Sequence, residues 1–436
     1  MNNSRLFKKT LLAVTIATTS IASQQAMAAG FQLNAQSATG IGRAFAGDAV
    51  IADNASVMAR NPAAMALFDK MELSLGFETI TSLIEVKDVE YKGILTGPNA
   101  LPVDDTDDVG STSIAPNIHL IVPVNDQFAW GVNAYSNFGT KTEFEDDYVA
   151  AEYGGLTDVK SFNFGLAGSY RLNQQWSFGA GLDLIYAQGT MKRVAGEGFG
   201  PGFGGIPGVL PAVPPSGTPI LDIDKADGFA VGFNVGTVFE LDENNRFGLA
   251  YHYSPKFEAK DDHGQKITLP LPDIAEFSGF HKIEDTKFAV HYSIQYIAWG
   301  SFDKIDFEDL DANQSTVGAG LATDGVFEKE YKWQDGWHYA IGGTYYLNDD
   351  WTLRAGYMYD TSAQDQVTSI SVPDSDRQWF STGFTYHIDS ASNIDFGFTY
   401  LMGDDVKVEE SLGATSLTAT TRANAILMGL QYSRSF

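Results

Sequence analysis

The chain has 436 residues, no cysteine, and a formal charge of −27 from 28 Lys and Arg against 55 Asp and Glu. Without cysteine there is no disulfide framework, no thiol chemistry and no thiolate metal site. So acidic a chain excludes nucleic acid as a partner.

The first residues are basic (Arg5, Lys8, Lys9) and lead through an apolar run from Leu11 to Ala22 into Ala26-Met27-Ala28. This order predicts a Sec-type signal peptide over residues 1–28, cut at its small-x-small site. The run is shorter than the roughly 20 apolar residues of a membrane-spanning helix. Losing three basic and no acidic residues with it takes the charge from −27 to −30. That acidity fits solvated loops, or loops that hold divalent cations beside lipopolysaccharide. No later stretch is apolar for long enough to cross a bilayer as a helix, so the mature chain is either soluble or crosses as a barrel.

Residues 29–69 do not alternate and are rich in Ala, Gly and Asn. Within them, Asn61-Pro62-Ala63-Ala64-Met65 places an Asn that can cap a helix before a Pro at its first position, which implies a defined turn.

From Lys70 to the end the dominant signal is period-two alternation broken by turn clusters, the mark of strands with two different faces. Phe380, Thr382, Phe384, Tyr386 and Ile388 oppose Ser381, Gly383, Thr385 and His387, and Ile394, Phe396, Phe398, Tyr400 and Met402 oppose Asp395, Gly397 and Thr399. About fourteen such runs occur, an even number suited to an outer-membrane barrel. They begin near Met71, Ser113, Phe128, Val159, Trp176, Ile223, Arg246, Asp273, Thr286, Glu330, Trp351, Asp376, Asn393 and Ala423. Tight polar turns, such as Asn125-Asp126 and Asn173-Gln174, alternate with long connections, such as 87–112, 194–222 and 303–328. Periplasmic turns and extracellular loops of a barrel differ in this way, whereas stacked sandwiches need no such rhythm. Trp130, Trp176, Trp299, Trp351 and Tyr345 are expected in the interfacial girdles. The last strand carries Ile426, Met428, Leu430, Tyr432 and terminal Phe436 on one parity, with Arg434 the exception near the rim.

The fold class is therefore an all-β membrane protein: a transmembrane antiparallel β-barrel over residues 70–436, with residues 29–69 as a plug inside the lumen. A barrel of this strand number is too wide for its own side chains to fill. A disordered periplasmic tail is the alternative for residues 29–69.

Gly30-Phe31-Gln32-Leu33-Asn34, Gly40-Ile41-Gly42-Arg43-Ala44 and Arg60-Asn61-Pro62-Ala63 resemble the amino-terminal hatch of the FadL family of outer-membrane long-chain fatty-acid transporters. Ser136-Asn137-Phe138-Gly139, Asp242-Glu243-Asn244-Asn245-Arg246, Thr344-Tyr345-Tyr346 and Pro373-Asp374-Ser375-Asp376-Arg377 extend the resemblance along nearly the whole mature chain. It implies a fourteen-stranded barrel with the hatch inside, of which Phe31, Asn61, Pro62 and Ala63 are part. It also implies passive uptake of fatty acids, or of aromatic and other hydrocarbons, with no cofactor, ion gradient or nucleotide. The ligand would pass from an apolar loop groove to an interior pocket, and leave through a wall kink that maps to Asn137, Phe138 and Gly139. Alternation falters there, and the glycine marks either a bulge or ordinary packing.

For the groove, residues 196–220 offer Phe199, Phe203, Ile206, Val209 and Leu210 among Gly and Pro, unless this is only a flexible loop. A carboxylate in a dry pocket needs a cation. Parity turns Arg193, Lys332, Arg354 and Arg377 toward the lumen. Arg193 also matches the family's head-group position, and Lys332 matches its second cationic position more loosely, with Gln334 as the other choice. An ion pair with an inward Asp, such as Asp183 or Asp360, is the alternative role for each. A general diffusion porin is the competing transporter. A hydrolase lacks support, because Gly-x-Ser-x-Gly and His-Glu-x-x-His are absent and the seven histidines are dispersed. The expected surroundings are outer-membrane lipid and lipopolysaccharide, and the expected state is a monomer, with no catalytic or metal site.

Overall fold

The computed structural model describes residues 30–34, 36–93, 99–202, 204, 213–311, 315, 326–413 and 415–436; the expected signal peptide lies outside them. Among these residues no helix is long and apolar enough to cross a membrane. They form instead one antiparallel sheet of nineteen strands.

In chain order the strands are β1 (Glu72–Lys92), β2 (Thr112–Pro123), β3 (Phe128–Glu143), β4 (Leu156–Arg171), β5 (Trp176–Val194), β6 (Pro219–Glu240), β7 (Asn245–Tyr253), β8 (Lys256–Lys260), β9 (Lys266–Pro270) and β10 (Ile274–Lys282). There follow β11 (Phe288–Ile297), β12 (Lys304–Glu308), β13 (Phe327–Glu330), β14 (Gly336–Tyr346), β15 (Trp351–Asp360), β16 (Arg377–Asp389), β17 (Ser392–Gly403), β18 (Val406–Leu412) and β19 (Thr415–Ser435). Fourteen of them close a ring in the order β1 to β7, β10, β11, β14 to β17 and β19, which pairs back onto β1 from Glu72↔Ser435 to Lys92↔Ser416. Closure satisfies the backbone of the first and last strands, which in hydrocarbon would otherwise carry unpaired groups costing several kcal/mol each. The other five strands, β8, β9, β12, β13 and β18, belong to the long connections.

Most ring strands begin within a few residues of the expected positions, and two do not. The strand expected near Glu330 starts at Gly336, because Lys332 turns the chain with a φ of +49°. The one expected near Ala423 starts at Thr415, because Thr418, Thr420 and Arg422 put polar residues on the parity that is apolar further along the strand. This added length lies beside β18 and the far end of β1, away from the tight turns.

Burial inverts the pattern of a soluble sheet. Phe164, Leu166, Leu182, Phe229 and Val231 are each at least half exposed. Their polar neighbours point inward, where the Asn163 and Asn234 side-chain amides donate to the two oxygens of Asp183 at 2.8 and 2.7 Å. An apolar band outside and a hydrogen-bonded lumen inside is the arrangement a bilayer demands. Trp130, Trp176 and Trp351 face outward at the strand ends, but Trp299 is completely buried, because the chain turns inward after β11 through a 3-10 turn at Trp299–Ser301.

The wall is uneven in height: β5 and β6 run for 19 and 22 residues, whereas β7 and β10 run for 9 each. Over the low side, β8, β9, β12 and β13 fold into a small sheet.

The segment before β1 hydrogen-bonds to strands that are far apart around the ring, as expected of a plug. Ala55 N donates to Ser74 Oγ on β1, Gly47 N to Ser293 Oγ on β11, and Ala38 N to Gln431 Oε1 on β19. Asn61 caps the turn Pro62–Leu67 by accepting from Ala63 N, while its amide donates to Ala49 O and to Thr237 O on β6. Glycine in the wall makes this approach possible: a Cβ at Gly236 would sit 2.0 Å from Asn61 Oδ1, and one at Gly179 would sit 2.3 Å from Ala63 N.

The outward face supplies the first prediction. Leu182→Arg should destabilise the bilayer-inserted barrel by about 2–4 kcal/mol, whereas Leu182→Phe should change it by less than about 1.5 kcal/mol, as measured by denaturant unfolding from liposomes.

Candidate functional site

The outer half of the lumen is an apolar chamber packed by its own side chains. Ile185 and Met191 come from β5, Leu221 and Ile223 from β6, and Leu269, Trp299, Phe302, Tyr331 and Trp333 from the connections that fold over the low wall. Phe31 fills its centre, with ring centroids 4.6 Å from Trp299, 5.5 Å from Phe302, 5.7 Å from Trp333 and 6.1 Å from Phe138. Such edge-on and tilted contacts are favourable aromatic geometries. Gly30 precedes Phe31 with φ +65°, and a Cβ there would lie 2.6 Å from the Trp333 ring, so only glycine lets the chain pass.

Beside the chamber the wall is interrupted. The β3–β4 ladder shifts register between Ser136 and Gly139, so Asn137 and Phe138 have no ladder partner on β4. The amino-terminal segment takes their place: Leu33 N donates to Asn137 O and Gly139 N donates to Phe31 O, both at 2.8 Å. Ser161 Oγ accepts from Phe138 N and donates to Asn137 Oδ1. The same few residues thus fill the chamber and complete the backbone pairing of the bulge.

The four cations singled out by parity are not brought together. Arg193 is buried on β5 opposite Leu221, a chamber residue. It donates to Leu156 O and Lys192 O at 2.7 Å and to Thr157 Oγ1 at 2.6 Å, and no carboxylate among the described residues makes an ion pair with it. Two of its five N–H donors therefore meet no acceptor among the described residues. Lys332 departs from the parity expectation: it lies before β14, not on it, is about half exposed, and pairs with Glu330 at 2.7 Å.

Arg354 lies toward the tight-turn end, where it donates to Thr385 Oγ1 and pairs with Asp53 at 3.2 Å. Arg377 is buried between Asp374 and Asp360, and Asp360 also meets His338. Asp374 accepts from Gly30 N and Ala363 N, and burial pushes its carboxyl up against the opposing pull of Arg377. Of the loop residues, Phe199 is buried with Ala195 and Ile220, while Phe203, Ile206, Val209 and Leu210 lie outside the described residues.

A second charged cluster was not anticipated from the sequence. Arg43 bridges Asp48 at 2.7 Å and Asp53 at 2.9 Å, and Arg354 ties Asp53 to the wall. Asp48, Asp53 and Arg43 lie on a segment without periodicity, so only its fold could show that they converge.

Burial opposes charge on Asp53, but Arg43 and Arg354 hold its carboxyl below the ordinary carboxylate value. Its stabilising contribution is therefore full above the unfolded pKa near 4 and is lost as pH falls through the lower folded value. Asp53→Asn should weaken hydrogen-exchange protection of residues 38–51 by about 2–4 kcal/mol at pH 7, and the gap from wild type should shrink below about pH 4. An unchanged gap at low pH would show that the pair does not hold the segment.

The chain matches the family described as "Outer membrane protein transport protein (OMPP1/FadL/TodX)" over residues 19–436. It is 36% identical over 441 residues to the long-chain fatty acid transport protein of Salmonella typhi, covering 94% of this chain and 95% of that protein. Its fold resembles the crystal structure of a Pseudomonas aeruginosa FadL homologue, with TM-score 0.79 and 22% identity over 94% of this chain and 100% of that one. It also resembles the P. putida toluene transporter TodX, with TM-score 0.63 and 16% identity over 88% and 94% of the two chains. The closed fourteen-stranded ring and these matches give one conclusion: this chain belongs to the FadL/TodX family of outer-membrane transport proteins.

Proposed function

We propose that the protein carries long-chain fatty acids or similar amphiphiles across the outer membrane by passive diffusion, with residues 29–69 as the hatch that seals the bore. The loop around Phe199 receives the ligand and the chamber around Phe31 receives its tail. Arg193 meets its head group. The ligand then leaves sideways past Asn137, Phe138 and Gly139.

One observation carries this reading: Arg193 is a buried guanidinium at the edge of an apolar chamber with unused donors and no carboxylate partner among the described residues. Arg354 and Arg377 are engaged by Asp53, Asp360 and Asp374 and are not free for a ligand unless those pairs break. The name of the Salmonella typhi relative adds support for an acid substrate. The aromatic lining of Trp299, Phe302 and Trp333 favours a second substrate, a neutral aromatic hydrocarbon, for which Arg193 is dispensable.

Arg193→Ala should weaken oleate binding by about tenfold or more and leave toluene binding within about twofold. Lys332→Ala should change oleate binding by less than about twofold, as expected of an exposed ion pair. Equal losses for oleate and toluene would discredit the head-group role. In planar bilayers the intact protein should lack the large steady conductance of a diffusion porin, and observing it would refute the sealed bore.

A further inference from the structure

A cavity lies inward of the chamber, between the amino-terminal segment and the walls β3 to β5, β7, β10 and β11. Arg60, immediately before the Asn61-Pro62 turn, reaches it with only 7% of its surface exposed. It forms long ion pairs with Glu276 and Asp48, whose carboxylate oxygens lie 3.6 and 3.8 Å from Nε, but no hydrogen bond joins its guanidinium to a described residue, and Nε is buried without an acceptor. Those two carboxylates offset its charge, but its donors, the buried Nε among them, meet no acceptor within hydrogen-bond distance among the described residues, which leaves capacity for an acceptor supplied from outside.

The two acids that line the cavity are already engaged. Asp183 accepts from Asn163 and Asn234, and Glu276 accepts from Ser278, Ser293 and Gln295. Apolar side chains line the cavity as well, and two of them, Phe138 and Ile185, are shared with the chamber. Asn137, in the interrupted part of β3, opens onto the same space. A cation with unused hydrogen-bond donors, apolar side chains and a break in the ladder thus meet in one cavity.

We propose that Arg60 is a second head-group station, binding the carboxylate of the transported acid after Arg193 and before it leaves beside Asn137 and Phe138. This rests on the acid-transport reading above. The engaged acids beside Arg60 restrict the station to a single negative charge, and they disfavour phosphate and other multivalent anions.

The test uses the full-length protein in a transporter-deficient Gram-negative strain and, purified, in detergent. Arg60→Gln should lower the maximal rate of oleate uptake by about tenfold while oleate binding to the purified protein stays within about twofold, and Arg60→Lys should restore most of the rate. A binding change as large as the uptake change, or no rescue by Lys, would reduce Arg60 to a structural role and overturn the proposal. Unchanged uptake in Arg60→Gln would overturn it as well. A measurement on the wild type avoids any folding defect: crystals soaked with 2-bromohexadecanoate should place bromine beside Arg60, and water alone there refutes the station. Wild-type uptake of oleate no greater than that of the empty strain would instead refute the acid-transport reading, leaving the bromine measurement to decide whether Arg60 binds a carboxylate.

Discussion

Hydrocarbon offers no hydrogen-bond partners to a peptide backbone, and the rest of this structure depends on that constraint. A sheet that spans the bilayer must close, and β19 returns to β1 over nearly their whole length. Closing fourteen strands creates a bore wider than its own side chains can fill. The amino-terminal segment hydrogen-bonds to serines and a glutamine on strands around the ring, Ser74, Ser293 and Gln431. Polar residues thus share the interior with apolar ones here, because water is not what the outer face meets.

Given that core, the interruption of β3 is chemically economical. Two residues leave the ladder in a wall that tolerates no orphaned backbone groups, and Phe31 and Leu33 supply the missing pairings. Because Phe31 also fills the aromatic chamber, any ligand that takes its place there removes a neighbour from the bulge. Packing in the chamber and pairing in the wall are coupled through three consecutive residues.

Charge is distributed by the same logic. Arg43, Asp48, Asp53 and Arg354 neutralise one another, as do Arg377, Asp360 and Asp374, and both groups fasten the segment to the wall. Buried pairs of this kind contribute little net stability, but breaking one leaves an isolated charge at high cost, so they fix the position of the segment more than they strengthen the fold. Arg193 has no carboxylate partner among the described residues and Arg60 only long ion pairs, so both keep hydrogen-bond donors that no described residue uses.

The sequence by itself determined the barrel: alternation along Phe380–Ile388 or Trp176–Tyr186 reports the face of each residue, because successive strand side chains point to opposite sides. It determined the strand number and the short and long ends, since turns have their own residue preferences. It also marked the Asn61-Pro62 cap and the faltering of β3, both being local. Parity oriented Arg193 within a strand but misplaced Lys332, which lies where the chain has left the strand. Only the tertiary structure decided what the inward cations meet. The partners of Arg354 and Arg377, the burial of Trp299 and the unmet donors of Arg60 all depend on segments far apart in the chain. Periodicity encodes which way a side chain points, but what waits there is set by the folded neighbours.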